Sequence, residues 1–301
     1  MHAIATIGLS HAFAAESVLR DVNLAVPAGS IYGFLGPNGA GKTTTLRLVL
    51  GLLRRQRGTI EVLGRELDTD RLEILRRIGS SIESPSLYGH LTAVENLEVW
   101  RRVFRCSRRR IGEVLEFVGL AGTGSKRTEQ FSLGMRQRLS IAVALLHEPA
   151  LLILDEPANG LDPQGMLEMR ALLNVLNREH GITVLVSSHI LSEIERLVTH
   201  VGIIHRGTIR FQGTLASLMT RQEESSVTRL HTSDDARAVE IARQYGIHGR
   251  IEGERVILPA LDEHEAGRLT TSLAANGLAV SEIVTVRRDL ESVFLELIGE
   301  A

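Results

Sequence analysis

Apolar positions along the chain alternate between short runs and longer stretches with helical spacing. Runs at 22–26, 31–35, 59–63 and 78–82 read as strands. Those at 151–154 and 183–187 are continuously apolar or β-branched, as parallel strands covered on both faces must be. Stretches 43–53 and 92–120 read as helices. Strands alternating with helices predict an α/β unit with a covered, mostly parallel sheet over residues 1–220.

A polar stretch at 219–226 lacks apolar periodicity and reads as a boundary, with a second unit at 226–301. Beyond it the spacing predicts strand 227–231, helix 234–245, strand 247–251 and a turn at Glu252-Gly253. Strand 255–258, helix 262–276, strand 279–286 and a last helix at 289–298 follow. The order βαββαβ is the split-βαβ, ferredoxin-like α+β arrangement. No tandem repeat or low-complexity tract interrupts either unit.

Composition narrows the picture. Aromatic residues make up only 4% of the 301, so the core has to be aliphatic. A formal net charge of −2 offers no bulk attraction to nucleic acid or anionic lipid, and no nucleic-acid partner is expected. The single cysteine, Cys106, excludes an intramolecular disulfide framework and fits a reducing compartment. Residues 1–10 carry no secretory pattern, and no run reaches the ~18 apolar residues of a membrane span. The richest apolar region, 141–154, is broken by His147, Glu148 and Pro149. A cytoplasmic chain is expected, reaching a membrane only through a partner. Of the 34 basic residues only two, Lys42 and Lys126, are lysines, so each is a position to inspect. A compact ammonium and a planar guanidinium do different work.

The strongest chemical pattern is Gly36-Pro37-Asn38-Gly39-Ala40-Gly41-Lys42-Thr43, which fits GxxxxGK(S/T) between a predicted strand and a predicted helix. The glycines let backbone N–H groups curl around phosphate oxygens, and the helix adds its positive N-terminal end. Lys42 is placed to reach β- and γ-phosphates, and the Thr43 hydroxyl to ligate Mg²⁺, with Thr44 completing the loop. Lys126 reads as a solvated loop residue. A second pattern is Leu151-Leu152-Ile153-Leu154-Asp155-Glu156, a buried strand that presents two acids at its end. Asp155 is placed to hold Mg²⁺, and Glu156 to polarise an attacking water.

These residues resemble the ATPase subunit of ABC transporters over about residues 1–220, which implies a P-loop NTPase fold with a helical subdomain near 84–147. Residues 36–43 resemble Walker A, residues 151–156 Walker B, and Asn159-Gly160-Leu161-Asp162 the D-loop. His189 resembles the switch histidine that meets the γ-phosphate, and Phe13 the aromatic that stacks on adenine. Phe131-Ser132-Leu133-Gly134-Met135-Arg136-Gln137 is similar to the LSGGQ signature, with Leu133 in place of the first Gly and Met135 in place of the Gln. Ser132 and Gly134 are kept, and the resemblance implies that they face nucleotide bound to another subunit. It therefore implies ATP and Mg²⁺, and a homodimer or paired ATPase subunit arranged head to tail around two ATP molecules.

Glu83 stands where most of the family carries a Gln, and the resemblance implies that an acid there can still meet either Mg²⁺, with Thr43 and Asp155, or the attacking water. The segment 82–97 and the tail 289–297 are similar to the branch that holds bacitracin-resistance and lantibiotic-immunity exporters. Membership implies ATP hydrolysis that powers export through a separate integral-membrane permease, with this chain on the inner face of the membrane. A soluble ABC ATPase acting on nucleic acid or ribosomes is the alternative. A regulatory module without turnover is a third reading, which Lys42, Asp155, Glu156 and His189 oppose. The arginines at 101, 102, 105 and 108–110 read either as a solvated helix face or as a contact for lipid headgroups or permease. The second unit shows no catalytic set: His231, His248 and His264 lack metal-ligand spacing. It reads as regulatory or dimer-stabilising.

Overall fold

The computed structural model describes residues 1–14, 16–83, 86–253, 255–286 and 289–299, without the side chains of 223–225. The chain divides into two compact units, 1–215 and 216–301.

The first unit is built on a six-stranded sheet in the order Thr208–Thr214, His200–His205, Ile31–Leu35, Thr183–Ser188, Leu151–Asp155, Ile78–Ser81. Its pairs are parallel except for the hairpin at the first edge. Every residue of Ile31–Leu35, Leu151–Asp155 and Thr183–Ser188 is buried, which is why these strands read as unbroken apolar runs. The pairing sets Leu35 opposite Ser188 and Asp155 opposite Ser187. Three chemically important loops therefore leave the sheet at the same edge, beyond the carboxyl ends of the strands, where open α/β sheets place their ligands.

A second, antiparallel sheet joins Glu16–Val22, His2–Phe13, Arg57–Val62 and Arg65–Glu66, with Ala25–Pro27 also pairing to His2–Phe13. The expected strand at 22–26 is corrected here. One strand ends at Val22 and another begins at Ala25. The break is local: Asp21 takes a positive φ of 51°, and the Asn23 amide donates to the Asp21 carbonyl while accepting from the Gly8 N–H. The single helix expected over 92–120 is two, Ala93–Phe104 and Arg109–Phe117. Thr92 opens the first with a capping box to Glu95, and Arg105 closes it in the left-handed region. The helix expected at 43–53 runs Lys42–Val49. Helices Leu67–Leu75, Leu133–Leu145 and Pro163–Arg178 complete the main framework around the sheets. Among the described residues, Tyr32 and Phe34 are the only aromatics in the main buried cluster, which is otherwise aliphatic.

In the second unit, after a first helix, the element order is strand, helix, two strands, helix, strand, helix. Its sheet runs Arg250–Glu252, Arg255–Pro259, Val227–Thr232, Val280–Val286, with every pairing antiparallel. Helices Asp235–Gln244 and Glu263–Ala275 pack on it through Ala238, Ile241, Ala242, Leu269 and Leu273, against Leu230, Val256 and Leu258. The polar stretch expected to be a linker is helical: Leu215–Ser225 forms a helix rich in long polar residues of good helix propensity. Among the described residues no helix is long and apolar enough to cross a membrane.

Candidate active site

The phosphate loop connects Ile31–Leu35 to the helix Lys42–Val49. Its glycines answer two different demands. A Cβ on Gly36 would lie 2.3 Å from the Ile204 carbonyl oxygen, so a side chain there collides with backbone. Gly41, with φ at 108°, starts the helix from a conformation open to glycine, and a Cβ there would lie 2.5 Å from a Leu19 methyl. The loop is thus held tightly against Ile204 and Leu19.

Lys42 is 6% exposed, yet its ammonium is fully engaged. Its Nζ donates to the Gly36 carbonyl at 2.6 Å and lies 3.2 Å from Oε1 of Glu156. The other carboxylate oxygen of Glu156 accepts from Nδ1–H of His189 at 2.7 Å. Glu156 itself has a positive φ of 51°, an uncommon conformation for a non-glycine residue. Beside this chain, the Thr43 hydroxyl donates to Oδ2 of Asp155 at 2.8 Å. Lys42, Thr43, Asp155, Glu156 and His189 thus converge at one end of the sheet.

Ser187 ties the two acids together and was missed by sequence reasoning. Its hydroxyl donates to Oδ1 of Asp155 and accepts from the Glu156 N–H at 2.9 Å. The available signal was a serine pair closing an otherwise apolar strand just before His189.

Other candidate residues lie apart. Glu83 does not join the Thr43–Asp155 pair. Its side chain is 61% exposed and pairs with Arg47, from the last turn of the helix that follows the loop. Glu83 follows the strand Ile78–Ser81 and takes a positive φ of 63°. Phe13 is 46% exposed at the end of its strand, edge-on to His11 at 4.8 Å. Ser132 caps the helix Leu133–Leu145 by accepting from the Met135 N–H at 3.3 Å, and Gly134 lies in the first turn. Among the described residues no group of three or more His, Cys, Asp or Glu is arranged to hold a metal by itself.

The sequence model of the family described as "ABC transporter" matches residues 19–159. Over 299 residues the chain is 44% identical to a protein of Bacillus licheniformis described as "Bacitracin transport ATP-binding protein BcrA", covering 98% of this chain and 97% of that one. This chain belongs to the ATP-binding subunits of ABC transporters. A protein of Streptococcus pyogenes described as "Lantibiotic transport ATP-binding protein SrtF" is 43% identical over 201 residues, 67% of this chain and 86% of that one. Among solved structures, a dimeric ATP-binding cassette in a post-hydrolysis state bound to ADP and Pi is similar at 27% identity. Its TM-score is 0.63, with 70% of this chain and 98% of that one covered.

The first unit therefore has the ABC ATPase fold of the P-loop NTPases, and the cluster around Lys42 belongs to an ATPase whose turnover is coupled to transport. ABC ATPases dimerise and pair with membrane permeases, so the converged residues form one part of a larger assembly.

Proposed function

We propose that this ABC ATPase drives export of peptide antibiotics of the bacitracin or lantibiotic kind, from the cytoplasmic face of the membrane, through a separate permease. The similarity to transport subunits of that kind supports the cargo class. The observation that carries the enzymatic part is the Glu156 carboxylate held between Lys42 Nζ and His189 Nδ1, beside the Thr43–Asp155 pair.

In this reading the loop from Gly36 to Thr44, including Pro37, Asn38, Gly39, Ala40 and Gly41, wraps the phosphates, and Lys42 turns its charge from Glu156 toward the γ-phosphate. Phe13 offers its exposed ring to adenine. Thr43 and Asp155 are hard oxygen donors, a set that suits Mg²⁺ shared with substrate phosphates. Bound there, Mg²⁺ would neutralise charge on the β- and γ-phosphates. Glu156 accepts a proton from water as its oxygen attacks the γ-phosphorus and the bond to the β-phosphate oxygen breaks. His189 holds that carboxylate in place and meets the γ-phosphate. Glu83 reaches the metal side only after leaving Arg47.

Two chains arranged head to tail place Ser132 and Gly134 of one against nucleotide on the other, with residues 84–147 as the helical subdomain. Residues 226–301 read as a ferredoxin-like domain, supported by their element order and the antiparallel strand order, and as regulatory or dimer-stabilising. Truncation after residue 225 tests that role: altered dimerisation or basal ATPase supports it, and no change in either refutes it.

Glu156→Gln tests the chemistry. It should abolish ATP turnover while ATP-loaded dimers accumulate, and undiminished turnover refutes the base assignment. Deleting the gene should sensitise cells to bacitracin-like peptides or lantibiotics. Unchanged sensitivity to both refutes the cargo assignment.

A further inference from the structure

The first turn of the helix Leu133–Leu145 lies against the loop that follows Glu156. A Cβ built on Gly160 would lie 3.1 Å from Cδ2 of Leu133, and one built on Gly134 would lie 3.6 Å from Cδ2 of Leu161. Large and small residues thus alternate across the contact: Leu133 faces Gly160, and Leu161 faces Gly134. Gly160 also holds φ at 74°, so its side of the contact is glycine's by conformation as well as by space. The loop is short and braced. The Asn159 N–H donates to the Glu156 carbonyl at 3.1 Å, and the Leu161 N–H to the Ala158 carbonyl at 3.1 Å. Asp162 then caps the next helix by accepting from the Gly165 N–H at 2.9 Å.

We infer that Leu133 and Gly160 are a size-matched pair that positions Ser132 and the N-terminus of their helix for nucleotide bound to a second copy of this chain. Leu133 stands where the family signature carries a glycine, and here the missing space is supplied from the opposite side by Gly160. Leu133 is a positioning residue. It acts through the backbone of Ser132 and Gly134, whose first-turn N–H groups have no acceptor within the helix apart from the Ser132 cap at Met135. The same contact fixes this segment to the loop leaving Glu156, so the donor presented to one nucleotide and the base serving the other rest on a single joint. The inference rests on the head-to-tail dimer proposed above.

The test is a double-mutant cycle of Leu133→Ala and Gly160→Ala in the full chain carrying Glu156→Gln, reading the dimer dissociation constant in Mg-ATP by analytical ultracentrifugation. The φ strain at residue 160 is the same in both backgrounds and cancels in the cycle. Each single change should weaken dimerisation several-fold. The double variant should be at least about threefold tighter than the product of the single effects, since contacting residues couple and distant ones do not. Leu133→Met, which conserves volume, should dimerise like the parent. Binding of a fluorescent ATP analogue to dilute monomer should stay within twofold throughout, because the loop around Lys42 is untouched. Multiplicative effects, unchanged dimerisation in both single variants, or monomer binding that falls in parallel with dimerisation would overturn the pair. A parent chain that fails to dimerise in Mg-ATP refutes the dimer itself, and the pair with it.

Discussion

Ser187→Ala removes one oxygen from the site and leaves every other group in place. Ser187 is fully buried, and its hydroxyl makes two bonds, donating to Asp155 and accepting from the Glu156 N–H. Alanine leaves that N–H without a partner, a loss of about 1–3 kcal/mol, and deprives a carboxylate of a charge-assisted bond worth about 1.5–3 kcal/mol. Partial relaxation brings the sum to roughly 2–4 kcal/mol, which for a unit of this size lowers the melting midpoint by roughly 5–15 °C. Turnover suffers separately. Glu156 keeps its uncommon backbone conformation partly through the Ser187 bond, and a displacement near 1 Å from the working geometry can cost on the order of 10²-fold. The expected variant has kcat reduced about 10- to 100-fold and KM for ATP changed less than threefold, because Lys42 and its loop are untouched. Thermal melting and steady-state phosphate release at a temperature where the variant is folded decide it. A melting drop of the stated size with kcat within twofold of the parent would refute the positioning argument and leave Ser187 a stability residue alone.

Lys42→Arg should lower hydrolysis by more than about 100-fold, since a planar guanidinium cannot replace a compact ammonium enclosed between Gly36 and Glu156; phosphate release measures this. Gly36→Ala should abolish nucleotide binding or folding, read by fluorescent ATP titration and circular dichroism, because its methyl meets the Ile204 carbonyl. Glu83→Gln breaks the charge pair with Arg47, and the Mg²⁺ titration of ATPase activity should shift; superimposable curves refute a metal-side role. His147 donates from Nε2–H to the Ile78 carbonyl, and burial holds its pKa below the usual histidine value. The unfolded chain therefore binds the extra proton first, near pH 6.5, so stability falls as pH drops below that value toward the lower folded pKa. His147→Gln should flatten this part of the melting-versus-pH curve between pH 7.5 and 5.5, and parallel curves would refute it.

The phosphate loop was legible because its residue types encode backbone shape directly: glycines where a Cβ collides or φ is positive, then Lys and Thr at the helix start. The acids at 155 and 156 were legible as the end of an unbroken apolar run. Ser187 was not, because its role depends on the register that sets it opposite Asp155, a pairing between strands far apart in sequence. The Glu83–Arg47 pair was not legible for a similar reason, since it joins the residues after strand Ile78–Ser81 to the distant helix Lys42–Val49. The strand His2–Phe13 was hidden by Ala, Thr, Gly and Ser at positions that a clear alternating pattern would fill with larger residues. The hairpin joining His200–His205 to Thr208–Thr214 turns on Arg206-Gly207, both at positive φ, the conformation of a two-residue hairpin turn. An arginine in that conformation carries little mark in the sequence, and Arg105, which divides the expected helix at 92–120, is the same case.

The scarcity of lysine gives this chain an unusual chemical handle. Outside the α-amine, an amine-selective reagent finds only two side-chain amines, Lys126, which is exposed, and Lys42, which is buried and ion-paired. Mass spectrometry of a briefly labelled sample therefore has two lysine peptides to compare. Lys126 calibrates the reagent dose, and the Lys42 peptide reports how often the ammonium escapes Glu156 and Gly36. Labelling with and without nucleotide would measure occupancy of the phosphate loop in the unmodified chain, with no reporter group introduced.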